Sequence, residues 1–177
     1  MKGLRSIPRV LKINSIKGRS MSLLFNNGQS KIVDISKILT EGKSVQKGSL
    51  VDQILSDDQI FSSARIIENS IGWPGVGRHV KNFSGESVFH PYDIDPLLLF
   101  NAGELDEDQN LNLGKEIKTI RKKIGLTQEE LARKVGTTKN YISKLENNKS
   151  NIELLTLKKI VEAGLNGKLH LSIELPG

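Results

Sequence analysis

Between residues 113 and 146 the apolar positions recur at helical spacing. Leu113, Ile117, Ile120 and Ile124 fall at i, i+4, i+7 and i+11, which places them on one face of a helix. Gly125 follows where a left-handed residue ends a helix at low cost. Thr127 reads as an N-cap, with Glu130 three residues later at capping-box spacing. Leu131, Ala132 and Val135 form the buried side of a second helix, and Gly136 ends it. Thr137 or Thr138 caps a third helix, with Ile142 and Leu145 as its apolar face. Two short helices joined by a glycine-containing turn make a helix-turn-helix pattern. A fourth helix is expected over 152–163, with Leu154, Leu157, Ile160 and Val161 inward.

The first hundred residues carry the other period. Residues 9–16 alternate apolar and polar and predict a strand, 20–26 a second and 29–35 a third. Asn27-Gly28 between the last two predicts a type I′ hairpin turn, with positive φ at both positions. One helical turn is expected over 36–40, a loop over 41–50 and a short helix over Leu50–Leu55. Residues 60–68 read as a fourth strand, and Ile71-Gly-Trp-Pro74 as a short fifth strand ended by its proline. Residues 74–91 read as a glycine-rich surface loop. Their Gly75-Val-Gly77 lacks the third glycine and the following helix of a dinucleotide loop. Asp93 or Asp95 caps a short helix that has Pro96 in its first turn and continues over Leu97–Phe100. At the other end, Lys168–Leu175 alternate cleanly, with Leu169, Leu171, Ile173 and Leu175 on one face of a strand. A lone strand is unstable, so it must pair either with its copy in a second subunit or with the N-terminal sheet.

These periods define an α+β chain of 177 residues. A strand-rich α+β domain spans 1–102, an acidic linker 103–110, and a helix-turn-helix domain ending in a β-strand 111–177. Charge sharpens the division. Residues 111–164 hold 12 Lys and Arg against 6 Glu, whereas 103–110 carry four carboxylates and no cation. A compact basic segment suits a polyanionic partner. The absence of cysteine excludes disulfides and thiolate metal sites. No apolar run is long enough to span a membrane, and no apolar block follows Lys2 and Arg5 as a signal peptide requires. A soluble cytoplasmic protein is the expectation. His79, His90 and His170 lack metal-ligand spacing, and Gly-x-Ser-x-Gly is missing. The reading is therefore of a protein without catalytic residues, metal or cofactor, although His79, His90 and Asp93 could meet in the N-terminal domain.

Two resemblances add to this. Phe25-Asn-Asn-Gly28, Trp73-Pro74 and Asp93-Ile-Asp-Pro-Leu-Leu-Leu99 resemble a small bacterial module of unknown function over roughly residues 8–100. The chain departs from that module by inserting 17 residues, Gly75 to Pro91. The second resemblance is stronger. Gly125-Leu-Thr-Gln-Glu-Glu-Leu-Ala132, Val135-Gly-Thr-Thr138 and Tyr141-Ile-Ser-Lys-Leu-Glu-Asn147 look like the helix-turn-helix of the lambda-repressor/Cro family. The family pairs an Arg on helix one with a Glu ending the recognition helix, and Arg121 and Glu146 stand at those positions as scaffold. Its base readers align with Thr138, Lys139, Asn140 and Lys144, and its phosphate contacts with Gln128 and Asn147.

The residue chemistry fits these roles. Gln128, at the start of helix two, combines an amide with helix N–H groups that suit a phosphate. Side chains at the start of the recognition helix reach base edges, where Asn pairs with adenine and Lys favours guanine. Ser143 is a phosphate or base contact, Asn147 and Lys149 lie beside the backbone, and Tyr141 serves either DNA or packing. The expected function is a sequence-specific transcriptional repressor that binds double-stranded DNA as a homodimer on a palindromic operator. The alternative is the antitoxin of a toxin–antitoxin module, binding a toxin through the N-terminal domain and autoregulating its operon.

Overall fold

The computed structural model describes residues 7–42 and 44–173. The chain divides into two compact units, Met1–Asn110 and Leu111–Gly177. Among the described residues no helix is long and apolar enough to cross a membrane.

The first unit holds two antiparallel sheets. Strands β1 (Val10–Lys17), β2 (Ser20–Phe25) and β3 (Ser30–Asp34) form a meander. Met21, Leu23 and Phe25 alternate along β2 and are fully buried, as the period-two pattern requires. Three short helices follow: α1 (Ile35–Thr40), α2 (Leu50–Ser56) and α3 (Asp58–Ser62). Next come β4 (Arg65–Ile67), β5 (Ser70–Lys81) and β6 (Ser87–Ile94), which make a second sheet in the order β4-β5-β6. Helix α4 (Pro96–Ala102) starts on Asp95, whose carboxylate accepts from Leu97 N at 2.7 Å. Buried Trp73 centres the core. Its Nε1 donates to the Phe61 carbonyl at 3.1 Å, and its ring packs between Phe61 and Tyr92.

Four N-terminal expectations need correction. The Asn27-Gly28 turn is a three-residue loop in which Gly28 N donates to the Phe25 carbonyl, and of its residues only Gly28 takes positive φ. The type I′ geometry belongs to Glu68-Asn69, between β4 and β5, with φ of 47° and 68°. This conformation is uncommon for glutamate. The strand expected over 60–68 begins only at Arg65. The Asp57 carboxylate accepts from Gln59 N and Ile60 N and starts α3 there instead.

The expected loop over 74–91 is a β-hairpin arm. Strand β5 runs through Pro74, which sits in an irregularity between the Trp73–Tyr92 and Gly77–Pro91 pairs. The missing proline N–H is tolerated at such a bulge. A Cβ on Gly77 would collide with the His90 carbonyl oxygen, so the close strand approach there demands glycine. The arm turns at Asn82, whose Oδ1 accepts from Ser84 N and Glu86 N.

The stretch 103–110, expected as a linker, is structured. Strand β7 (Glu104–Leu105) pairs with β3 and closes the first sheet in the order β1-β2-β3-β7. Asp106 is buried, accepts the Ser22 hydroxyl proton and caps Asp108 N. Asn110 Oδ1 accepts from Ser30 N, and its Nδ2 donates to the Ser30 carbonyl. The carboxylates read as solvating charge therefore include one that anchors the sheet.

The second unit packs four helices: α5 (Leu113–Lys123), α6 (Gln128–Lys134), α7 (Lys139–Glu146) and α8 (Leu154–Lys159), the last continuing as a π-helical turn, Ile160–Gly164. The buried face of α5 is Gly114, Ile117 and Arg121, whereas Ile120 and Ile124 are exposed. The expected inward set of α8 also shifts. Leu157 and Ile160 are buried, but Leu154 is 56% exposed. Among the described residues, Lys168–Ile173 join no strand, and Glu174 and Leu175 of the expected strand lie outside the described residues.

Candidate nucleic-acid interface

Local sequence fixes the turn between α6 and α7. Thr127 and Glu130 complete the capping box: Glu130 N donates to Thr127 Oγ1 at 3.1 Å, and Thr127 N to Glu130 Oε2 at 2.7 Å. These bonds from Thr127 hold the Glu130 carboxyl below its ordinary value. Gly136 takes φ +63° after α6, and Thr137 N returns to the Ala132 carbonyl. Of the two candidate caps it is Thr138 that caps α7, its Oγ1 accepting from Tyr141 N at 3.2 Å. Asn148, at φ +52°, ends α7 as Lys149 N donates to the Lys144 carbonyl at 2.8 Å.

Packing then orients α7. Ile142 and Leu145 enter a core with Ile117, Leu131, Val135, Leu157 and Ile160. Gly114 lets α5 approach α7 so closely that a Cβ would collide with the Leu145 carbonyl oxygen. Beside this core, Arg121 and Glu146 form a buried bidentate pair, Nε to Oε1 at 2.5 Å and Nη2 to Oε2 at 2.9 Å. Arg121 Nη1 donates to the Leu126 carbonyl at 2.6 Å, and Gln128 Nε2 donates to Glu146 Oε2 at 2.8 Å. Burial pushes the Glu146 carboxyl up. The hydrogen bonds from Arg121 and Gln128 outweigh that and hold it below its ordinary value. The same carboxylate raises Arg121.

The opposite side of α7 is open. Lys139, Asn140, Ser143, Lys144 and Asn147 lie within an arc of about 140°, at about 100° per residue. All but half-buried Ser143 are exposed, as are Thr138 and Lys149. Lys139, Lys144 and Lys149 make no ion pair among the described residues. Such a face offers ammonium and amide donors to an anionic ligand. Tyr141 is half-buried against the core.

Two polar candidates sit differently from the rest. The Gln128 amide is turned inward to Glu146, and Asn147 Nδ2 folds back onto the Ser143 carbonyl at 2.7 Å. The sequence carries no signal for the Gln128–Glu146 bond, which joins residues 18 positions apart. The histidines do not gather. The β5–β6 register pairs Arg78 with His90 and His79 with Phe89, which puts the two histidines on opposite faces of the arm. Among the described residues no cluster of three or more His, Asp or Glu could hold a metal ion.

A helix-turn-helix family model matches residues 117–163. The antitoxin HipB of Escherichia coli O6:H1 is 41% identical over 63 residues, covering 36% of this chain and 62% of the antitoxin, so the chain spans less than two thirds of that relative. The control protein C.MunI of Mycoplasma sp is 39% identical over 59 residues, covering 33% of this chain and 78% of that protein. The crystal structure of the restriction–modification controller protein C.Esp1396I is 37% identical, covers 32% of this chain and 74% of its own, and superposes with a TM-score of 0.31.

Proposed function

The chain belongs to the lambda-repressor/Cro-type helix-turn-helix family, and from that premise we propose that it is a sequence-specific DNA-binding regulator of transcription, acting as a homodimeric repressor on a palindromic operator. The observation that carries this reading is the open polar face of α7, held rigid from behind by the Arg121–Glu146 pair. Lys139 and Asn140 in the first turn, with Thr138 and Lys144, contact base edges in the major groove. Ser143, Asn147 and Lys149 contact the backbone. Gln128 acts at this interface chiefly by fixing Glu146, to which it donates one of its two amide N–H groups.

The dimer reading rests on exposed apolar residues of the second unit: Leu154, Leu155, Leu171 and Ile173 are 56–91% exposed. Exposed apolar patches mark interaction surfaces. Pairing of residues 168–173 with their copy as strands would cover part of Leu171 and Ile173 and supply the partner that an alternating segment needs. Half-sites then lie about 34 Å apart.

Selection of bound sequences from random duplex DNA, followed by footprinting, tests binding, symmetry and spacing together. The triple variant Lys139→Ala, Asn140→Ala and Lys144→Ala is expected to lose specific binding, and unchanged affinity would refute the assignment of α7. The antitoxin reading is favoured by the similarity to HipB. It predicts a small protein that co-purifies from the native host and is released by removal of the N-terminal unit.

A further inference from the structure

The N-terminal unit contains a cleft of about 610 Å³ where the hairpin arm leaves the body of the domain. That volume falls in the range of small-molecule sites. Leu50, Ile67, Val80 and Pro91 supply apolar wall. Arg78, His90, Tyr92, Glu68 and Asp93 supply polar groups. Elsewhere in this unit the carboxylates of Asp34, Asp57, Asp95 and Asp106 are engaged by backbone N–H groups. In the cleft, Glu68, Arg78, His90 and Asp93 are exposed and Tyr92 is half-buried, and none of the five side chains makes a hydrogen bond or ion pair with any described residue. Arg78 and the two carboxylates share the cleft without closing on one another. Burial and the charge of Asp93 push the Tyr92 hydroxyl up, so it stays a proton donor.

We infer that this cleft binds a small zwitterion with an apolar side chain, a free α-amino acid or a short peptide. The planar Arg78 guanidinium takes the carboxylate, with Tyr92 and His90 as neighbouring donors. Glu68 and Asp93 take the ammonium group, and the apolar wall receives the side chain. A simple anion would meet Glu68 and Asp93, and a simple cation would meet Arg78, so mixed charge selects against both. The site is built wholly from residues of the first unit and does not depend on the DNA-binding reading.

The test is calorimetric or NMR titration of the full chain with leucine, phenylalanine and leucyl-leucine. N-acetyl-leucine and leucine amide, each lacking one charge, serve as controls. Saturable binding of at least one zwitterion is expected, with the blocked forms weaker by roughly tenfold or more. Tighter binding of the free amino acids or of the dipeptide tells which is the ligand. Arg78→Met and the pair Glu68→Gln, Asp93→Asn are each expected to weaken binding by a similar factor, while the Trp73 emission shows the fold intact. No saturable binding of any zwitterion to folded protein, or equal binding of the blocked forms or by Arg78→Met, overturns the inference.

Discussion

Replacing Glu146 with Ala tests how the reading face is held. The substitution removes the acceptor of three donors, Arg121 Nε, Arg121 Nη2 and Gln128 Nε2, and leaves a guanidinium whose side chain is 8% exposed without its counter-charge. Breaking one side of a buried pair costs about 3–5 kcal/mol. A unit of 67 residues has a total stability of about 3–10 kcal/mol at ordinary values per residue. The variant should therefore lose from about a third to all of the second unit's stability. The two units can be read separately. The single tryptophan, Trp73, reports the first unit in urea, and far-ultraviolet circular dichroism, to which the helices of both units contribute, reports the second through the part of the change that does not follow Trp73. The helix transition should move by several molar at about 1 kcal/mol per molar, and the Trp73 transition should stay in place. Substituting both partners, Arg121→Met with Glu146→Leu, should bring stability back to within about 1 kcal/mol of the parent, because both desolvation costs then vanish together. The folded Glu146 carboxyl is depressed, so its contribution is present above the unfolded value of about 4.3 and is lost as pH falls through the folded value. Two results would refute the reasoning: a single variant within about 1 kcal/mol of the parent, or a double variant no more stable than the single.

Other perturbations separate the remaining devices. Gly114→Ala should destabilise the second unit by about 1–3 kcal/mol, because the collision with the Leu145 carbonyl outweighs alanine's helix preference; urea titration of the helix signal checks it, and a stabilised variant would contradict the close α5–α7 approach. Thr127→Ala should cost about 1 kcal/mol through loss of the α6 cap, while Thr127→Ser keeps it. Asp106→Ala should lower the stability of the first unit by about 1–3 kcal/mol, since the Ser22 hydroxyl and the Asp108 N–H lose their acceptor. Trp73 fluorescence in urea reads that change, and an unmoved midpoint would return 103–110 to the status of a linker.

Much of the second unit was legible because its signals are local. The capping box, the left-handed glycines after α5 and α6, and the buried pairs of α6 and α7 lie within a few residues of one another, and local hydrogen bonding alone selects them. The three strands of the β1-β2-β3 meander were legible as short apolar-rich runs bounded by turn residues, although only β2 buries strictly alternate apolar residues, Met21, Leu23 and Phe25. The arm was not. Its residues are exposed on both faces, so no alternation marks them, and Pro74 and the glycines read as loop. The backbone ladder and the Asn82 turn make the strands.

Sequence, then, was sufficient for the fold class and the helix-turn-helix order, both of which arise from interactions a few residues long. Tertiary packing alone decided the rest. It left Ile120 and Ile124 in solvent, because Arg121, held inward by Glu146 25 residues away, and the α7 backbone take the face of α5. It drew Asp106 under a sheet formed some 80 residues earlier. It turned the Gln128 donor inward. Each of these depends on a partner distant in the chain, and neither hydrophobic period nor capping spacing carries information about such a partner.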